Sequence, residues 1–202
     1  PFDMASLLRP AELIDRDEKA FARGLEAASD GLYTLLFGAA AESILAAACA
    51  IPGHALSLEH ATVAEDGGRV VGLLSGMPGA EAGDPDRVLM RAAGWRALRA
   101  GAVALAARPL FVAMDRHEPG DWYLQAIAVE REARGRGIGT ALLAAAFEQA
   151  RTSGADRLTL DVDVENGRAR SLYERFGLRV AATSRPARLL GGAAVHRMSV
   201  EL

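Results

Sequence analysis

Cysteine occurs once in the 202 residues, as Cys49, so neither an intramolecular disulfide nor a multi-cysteine metal site can form. A reducing compartment, the cytoplasm, is the expected setting. Lysine also occurs once, as Lys19, and acidic groups outnumber basic ones 26 to 23. A net charge of −3 supplies no global field to hold a polyanion, which argues against nucleic acid as a partner. The four histidines, His54, His60, His117 and His196, show neither H-E-x-x-H nor close pairing, so no metal site is expected. Long apolar runs are missing too. Leu35 to Ile51 is broken by Glu42 and Ser43, and Ala92 to Met114 carries Arg96, Arg99 and Arg108, whereas a membrane span needs about 20 apolar residues. No basic start leads into an apolar stretch and small-residue cleavage site, so no leader is expected.

What is present is an ordinary globular composition, with 50% apolar and 24% charged residues, which excludes disorder and fibrous repeats. The length suits one domain over residues 1–202. Asp15 to Ala28 reads as a helix that stops at Ser29-Asp30-Gly31, and Leu32 to Ala50 as a second helical region closed by Pro52-Gly53. His60 to Ala64 and Arg69 to Ser75 flank Glu65-Asp66-Gly67-Gly68, a strand-turn-strand pattern. Residues 77–120 read as an irregular helical insertion, with Asp84-Pro85 near a helix start and Gly94 and Gly101 weakening the helix beyond it. Asp121 to Val129 is a strand. A Gly-rich turn then opens a helix to about Arg151, whose Leu142, Leu143, Ala146, Phe147 and Ala150 share one face. Arg157 to Val164 alternates as a half-buried strand, Asn166 to Phe176 is a short helix, and Leu178 to Thr183 and Val195 to Leu202 are strands.

Chemistry concentrates in Arg134-Gly135-Arg136-Gly137-Ile138-Gly139-Thr140, between a strand and a helix. A helix start leaves N–H groups without intrahelical acceptors and carries about half a positive charge, so an anion is stabilised there. Glycines remove the Cβ atoms that would keep a phosphate away. No Gly-Lys-Ser/Thr comes after it, so this is no Walker A loop, and Thr140 stands where a dinucleotide fingerprint needs its third glycine. Glycines that merely turn the chain remain the plain structural alternative. A second cluster lies in Asn166 to Gly177, where Asn166 and Tyr173, seven residues apart, share a helix face. A Tyr hydroxyl, with a reference pKa of about 10, can protonate a departing thiolate of pKa about 8.5. Tyr173 as a core aromatic beside Ala169, Leu172 and Phe176, and Asn166 as a helix N-cap, are the structural counterparts.

Taken together, Arg134-x-x-Gly137-x-Gly139 after a strand, and Asn166 with Ala169, Leu172 and Tyr173 ahead of Phe176-Gly177, resemble the GNAT N-acetyltransferase superfamily. The resemblance covers residues 121–180 well and the hairpin at 60–75 plausibly. It implies an α/β GNAT fold: a mixed, mostly antiparallel central sheet flanked by helices, with the helical insertion between the third and fourth strands. It implies acetyl-CoA as cofactor, with the pyrophosphate on the backbone of Arg134, Gly135, Arg136, Gly137, Ile138, Gly139 and Thr140 and pantetheine along Ile127, Ala128 and Val129. Asn166 and Tyr173 would complete the cofactor site, with Tyr173 as general acid in direct acetyl transfer to a primary amine of a small molecule or peptide. The first helices and the insertion are expected to wall the acceptor site.

The base is not marked. Some family members carry a Glu early in the fourth strand, where this chain has Tyr123, so deprotonation through a water chain is expected. Asp161, Asp163, Glu118, Asp121 and His117 are expected to be solvated surface groups. Cys49 reads as a small buried hydrophobe, and no Gly-x-Ser-x-Gly elbow is present. Arg87, Arg91, Arg96, Arg99 and Arg108 make the insertion basic, as a solvated helix or as contacts to an anionic ligand; Arg168 and Arg170 are placed to meet the 3′-phosphate of CoA. An amine acceptor is the expected partner, with neither nucleic acid nor membrane, and a homodimer is left open. The alternative from another class is a non-catalytic acyl-CoA-binding regulatory module.

Overall fold

The computed structural model describes residues 7–81, 85–114, 118, 120–187 and 192–202, with backbone alone for 106–114. Its strands are β1 (Leu8–Pro10), β2 (Ala61–Asp66), β3 (Arg69–Pro78), β4 (Asp121–Val129), β5 (Arg157–Asp163), β6 (Arg179–Thr183) and β7 (Val195–Glu201). Helices α1 (Asp15–Ala28), α2 (Leu32–Phe37), α3 (Ala41–Cys49), α4 (Pro85–Ala93), α5 (Ala97–Met114), α6 (Ile138–Thr152) and α7 (Gly167–Arg175) cover it. The strands form one sheet in the order β1-β2-β3-β4-β5-β7-β6, antiparallel throughout except for β4 beside β5. This is the mixed, mostly antiparallel sheet expected, with helices α4 and α5 inserted between β3 and β4.

Each face of the sheet has its own core. On one, Phe21 and Leu25 of α1, Leu45 of α3 and Leu89 of α4 pack on Val63 and Leu73. On the other, Leu142, Leu143, Ala146, Phe147 and Ala150 of α6, the face read from periodicity, pack on Leu74, Trp122, Leu158 and Leu160. Close contact on the first face depends on Gly24: a Cβ there would lie 2.5 Å from Leu73 Cδ2. Asp15, Asp17 and Glu18 in the first turn of α1 complement its dipole. Asp17 does more, because its fully buried carboxylate accepts from Arg9 at 2.6 and 2.9 Å and from the Glu12 N–H at 2.9 Å, tying β1 to α1.

Several boundaries differ from the sequence expectation. β1 carries only three residues, too few for a pattern to register. The second helical region is two helices, because Gly38 adopts φ 66 after Phe37 and a short 3₁₀ turn, Gly38–Ala40, intervenes. The stretch Leu32–Cys49 is apolar and long enough, by composition alone, to cross a membrane; here it is folded back in pieces, with Ala41, Ile44, Leu45, Ala48 and Cys49 buried. β5 is buried on both faces, not one, since Thr159 is as covered as Leu158.

β4 and β5 pair only from Asp121↔Arg157 to Leu124↔Leu160 and then part. On its other side β4 stays with β3 to Gly72↔Val129, across a bulge at Gln125 where Ser75 pairs with Ala126 and Gly76 with Leu124. Beyond Leu124, β4 therefore has one free edge.

The hydrogen bonds from Arg9 hold the Asp17 carboxyl below the usual aspartate range. Its stabilisation is present above the unfolded-state value of about 3.9 and is lost as the pH falls through the native value. Asp17→Asn is expected to lower the unfolding free energy by about 3 kcal/mol at neutral pH, by stranding Arg9. In urea melts taken from pH 7 downward, the variant should lose less stability on acidification than the parent.

Candidate active site

The parting of β4 and β5 opens a cleft of about 1310 Å³, bounded by α1, α2, α6 and α7. At one end is the start of α6. Gly137 caps it with φ 86, a left-handed conformation that favours glycine. The first helical bond joins the Ala141 N–H to Gly137 O at 3.0 Å, so Ile138, Gly139 and Thr140 have no intrahelical acceptors. Gly135 and Gly139 line the same end, and the protein's own packing does not require the absence of a Cβ at either position. A Cβ at Gly135 meets nothing within 4 Å, and one at Gly139 makes ordinary contacts with Val129 and Leu172 at 3.7 and 3.9 Å. Arg134 reaches back, its Nε–H donating to Val129 O at 3.0 Å. Arg136 points elsewhere, paired with Asp66 at 2.8 Å, and among the glycine-turn residues it is the one absent from the cleft wall.

Along the wall run Ile127, Ala128 and Val129. The Glu130 N–H donates to Val71 O on β3, and strand residues alternate the edge to which they present their backbone groups. Ile127 and Val129 therefore face the cleft. Opposite stands α7, capped by Asn166, whose side-chain oxygen accepts the Ala169 N–H at 3.1 Å. Asn166 and Tyr173 both line the cleft, as their spacing requires. Burial pushes the Tyr173 hydroxyl up to about 12, and it has no hydrogen-bond partner among the described residues. Arg168 lines the cleft, whereas Arg170 is paired with Glu174 at 3.3 Å; Arg175 joins the wall without any signal in the sequence.

The other end is acidic and phenolic. Asp161 is no surface group: its side chain is 3% exposed, and Arg197 clamps it from Nε and a terminal nitrogen, both at 2.8 Å. The Tyr123 hydroxyl donates to the same carboxylate at 3.2 Å, and burial together with Asp161 pushes that hydroxyl well above its ordinary value. Asp121, also expected at the surface, is buried and paired with Arg157 at 2.7 Å, below the splay; Glu118 is exposed, and His117 lies outside the described residues. Asp30 and Tyr33, from the α1–α2 turn, complete this end. Asp30 holds φ 49, unusual for a residue with a side chain. Burial, with Asp163 nearby, holds its carboxyl above the usual range.

Sequence reasoning treated Ser29-Asp30-Gly31 only as a helix stop. The available signal was an Asp beside a Gly in a tight turn, but nothing local tells that the turn meets β5. Nor does the insertion wall the site: among the described residues of 77–120, none lines the cleft, because α4 and α5 pack on the outer side of α2 and α3.

The family model of the acetyltransferase (GNAT) family matches residues 42–178. A crystal structure described as an acetyltransferase superposes with a TM-score of 0.68 at 26% identity, over 96% of this chain and 98% of that one. The chain is 45% identical over 56 residues to the mycothiol acetyltransferase of Beutenbergia cavernae, a stretch that is 28% of this chain and 19% of that protein. It is 38% identical over 55 residues to N-alpha-acetyltransferase 30 of Schizosaccharomyces pombe, 27% of this chain and 37% of that protein. Both stretches thus span well under half of these curated relatives. A family model matching more than half of the chain, and a solved relative with the same fold over nearly its whole length, make this protein a member of the acetyltransferase (GNAT) family, whose acetyl donor is acetyl-CoA.

Proposed function

We propose that the protein transfers an acetyl group from acetyl-CoA directly to a primary amine of a small molecule or peptide. The observation that carries this is one continuous cleft that joins an anion-accepting helix start to the unpartnered hydroxyl of Tyr173 and ends at Asp30. Acetyl-CoA supplies an activated acetyl thioester and an anionic pyrophosphate. The N–H groups of Gly135 to Thr140 hold the pyrophosphate, with the macrodipole of α6 and the cleft-facing Arg168 adding positive charge. Ile127 and Val129 take the pantetheine amides as a further strand would.

Tyr173, kept protonated by its burial, donates its proton where a thiolate leaves. The ammonium of the acceptor enters from the acidic end. Asp161 is committed to Arg197 and Tyr123 and positions the phenol rather than moving protons. Asp30, whose carboxyl binds a proton more readily than an ordinary aspartate, takes the acceptor's proton through water. A non-catalytic acyl-CoA-binding module rested on the lack of a base, and Asp30 removes that reason. The likeness to one relative named for mycothiol and another named for an N-alpha amine supports an amine acceptor of either size.

Tyr173→Phe is expected to lower kcat more than about tenfold while leaving acetyl-CoA affinity in isothermal titration unchanged; an undiminished rate removes Tyr173 from the chemistry. Gly139→Glu should abolish acetyl-CoA binding without lowering the melting temperature appreciably, since the added Cβ meets only ordinary contacts. Retained affinity would refute the phosphate assignment. Asp30 acts as a base only when ionised, so kcat/KM should fall on an acid limb centred above the usual aspartate pKa of about 3.9. Asp30→Asn should erase that limb and lower the plateau at least about tenfold.

A further inference from the structure

Helix α5 turns the wrong side to water. Its inner face, Ala100 with Ala97 and Val103, joins the core beneath α2. Its outer face consists of Leu98, 83% exposed, Gly101, Ala102 and Leu105, 75% exposed, with Trp95, 76% exposed, in the turn just before the helix. Positions 98, 101, 102 and 105 have the i, i+3, i+4, i+7 spacing of a single stripe. Surface helices ordinarily put polar residues there, and this stripe carries no charge. The neighbouring arginines are drawn off it: Arg99 donates from Nε to Leu35 O at 3.1 Å, and the Arg96 guanidinium lies 4.7 Å from the centre of the Trp95 ring.

From this arrangement we infer that the outer face of α5 is the contact between two copies of this chain, packed antiparallel about a two-fold axis between Gly101 and Ala102. The stripe reads Leu-x-x-Gly-Ala-x-x-Leu from 98 to 105, and its spacing is the same from either end. Turned through the axis, Leu98 meets Leu105 of the other copy while Leu105 meets its Leu98, and Gly101 meets Ala102. That reciprocity is what an isologous contact demands. A Cβ at Gly101 would touch nothing in its own chain, so the small pair lets the backbones approach closely.

Charge and area agree with this occupant. The same rotation sets Arg99 opposite Ala104 and Arg96 opposite Ala107, so no two arginines are driven together and no ionisable group on the stripe is buried. The exposed parts of Trp95, Leu98 and Leu105 amount to roughly 400 to 500 Å² per chain, the upper range of what a monomer leaves in one patch. Doubled, they supply most of the about 1,200 Å² at the low end of stable interfaces, and Arg91, Ala92 and the two small residues add the rim. None of these residues lines the cleft, so both clefts stay open in the pair, and the contact does not depend on the proposed reaction.

Sedimentation equilibrium of the full chain across the micromolar range is expected to give twice the 21.2 kDa of one copy. Leu98→Glu combined with Leu105→Glu should give a single copy, with the melting transition of the monomer and acetyl-CoA binding retained because both side chains are exposed. Gly101→Gln, which keeps every apolar side chain but blocks close approach, should weaken association at least about tenfold. A parent that stays at 21.2 kDa throughout overturns the proposal. So does a pair that survives both variants, or a single copy that binds anionic phosphatidylglycerol vesicles through Leu98 and Leu105.

Discussion

Where β4 and β5 separate, backbone groups that a sheet would normally satisfy internally are left facing a cleft, and the remaining features of the site are arranged around them. The parallel pairing ends at Leu124↔Leu160, while β4 continues beside β3 to Val129. Ile127 and Val129 thereby keep hydrogen-bonding capacity that costs free energy when buried without a partner. The bulge at Gln125 lets one strand be fully paired on one side and unpaired on the other, by shifting its register against β3. The start of α6 meets the far end of that edge because the chain turns through Gly135 and Gly137 directly after β4. Recognition of the family's donor by main-chain groups is a result of topology more than of any particular side chain.

The opposite end of the cleft depends on side chains and is electrostatically divided. Asp161 has its charge balanced by Arg197 and its second oxygen shared with Tyr123, an arrangement linking β4, β5 and β7 just where β4 has left β5. Such a buried pair costs desolvation and is retained with its hydrogen bonds satisfied. Asp30 has no such clamp. It sits in a left-handed turn supported by Gly31 and by the helices on either side. The two aspartates, similar in sequence, therefore have different chemistry: one is fixed as an anion in a network, the other is free to exchange a proton.

The half of the fold after residue 121 was legible because its signals are local. The face of α6, the glycine turn and the seven-residue interval from Asn166 to Tyr173 are each set by helix geometry within a few residues, and the structure brings Asn166 and Tyr173 onto one wall. The acceptor end was not legible. Asp161 looks like the polar side of an alternating strand, and only Arg197, 36 residues later on the neighbouring strand β7, makes it buried. Asp30 reads as punctuation until the α1–α2 turn is seen against β5. The role of the insertion was misread for the same reason, since an Arg-rich helix carries no mark of which side of α2 it will pack on.

Cys49 lies in α3 at 1% exposure, with burial pushing its thiol up to about 12. Thiolate is the form that attacks disulfides and alkylating reagents, so the folded protein is nearly silent toward them. Acetyl transfer in this family liberates one thiol per turnover, that of CoA itself. A colorimetric thiol reagent added to the folded protein therefore counts turnovers without interference from the catalyst. Slow labelling of Cys49 in the absence of donor would instead time the opening of α3 from the core.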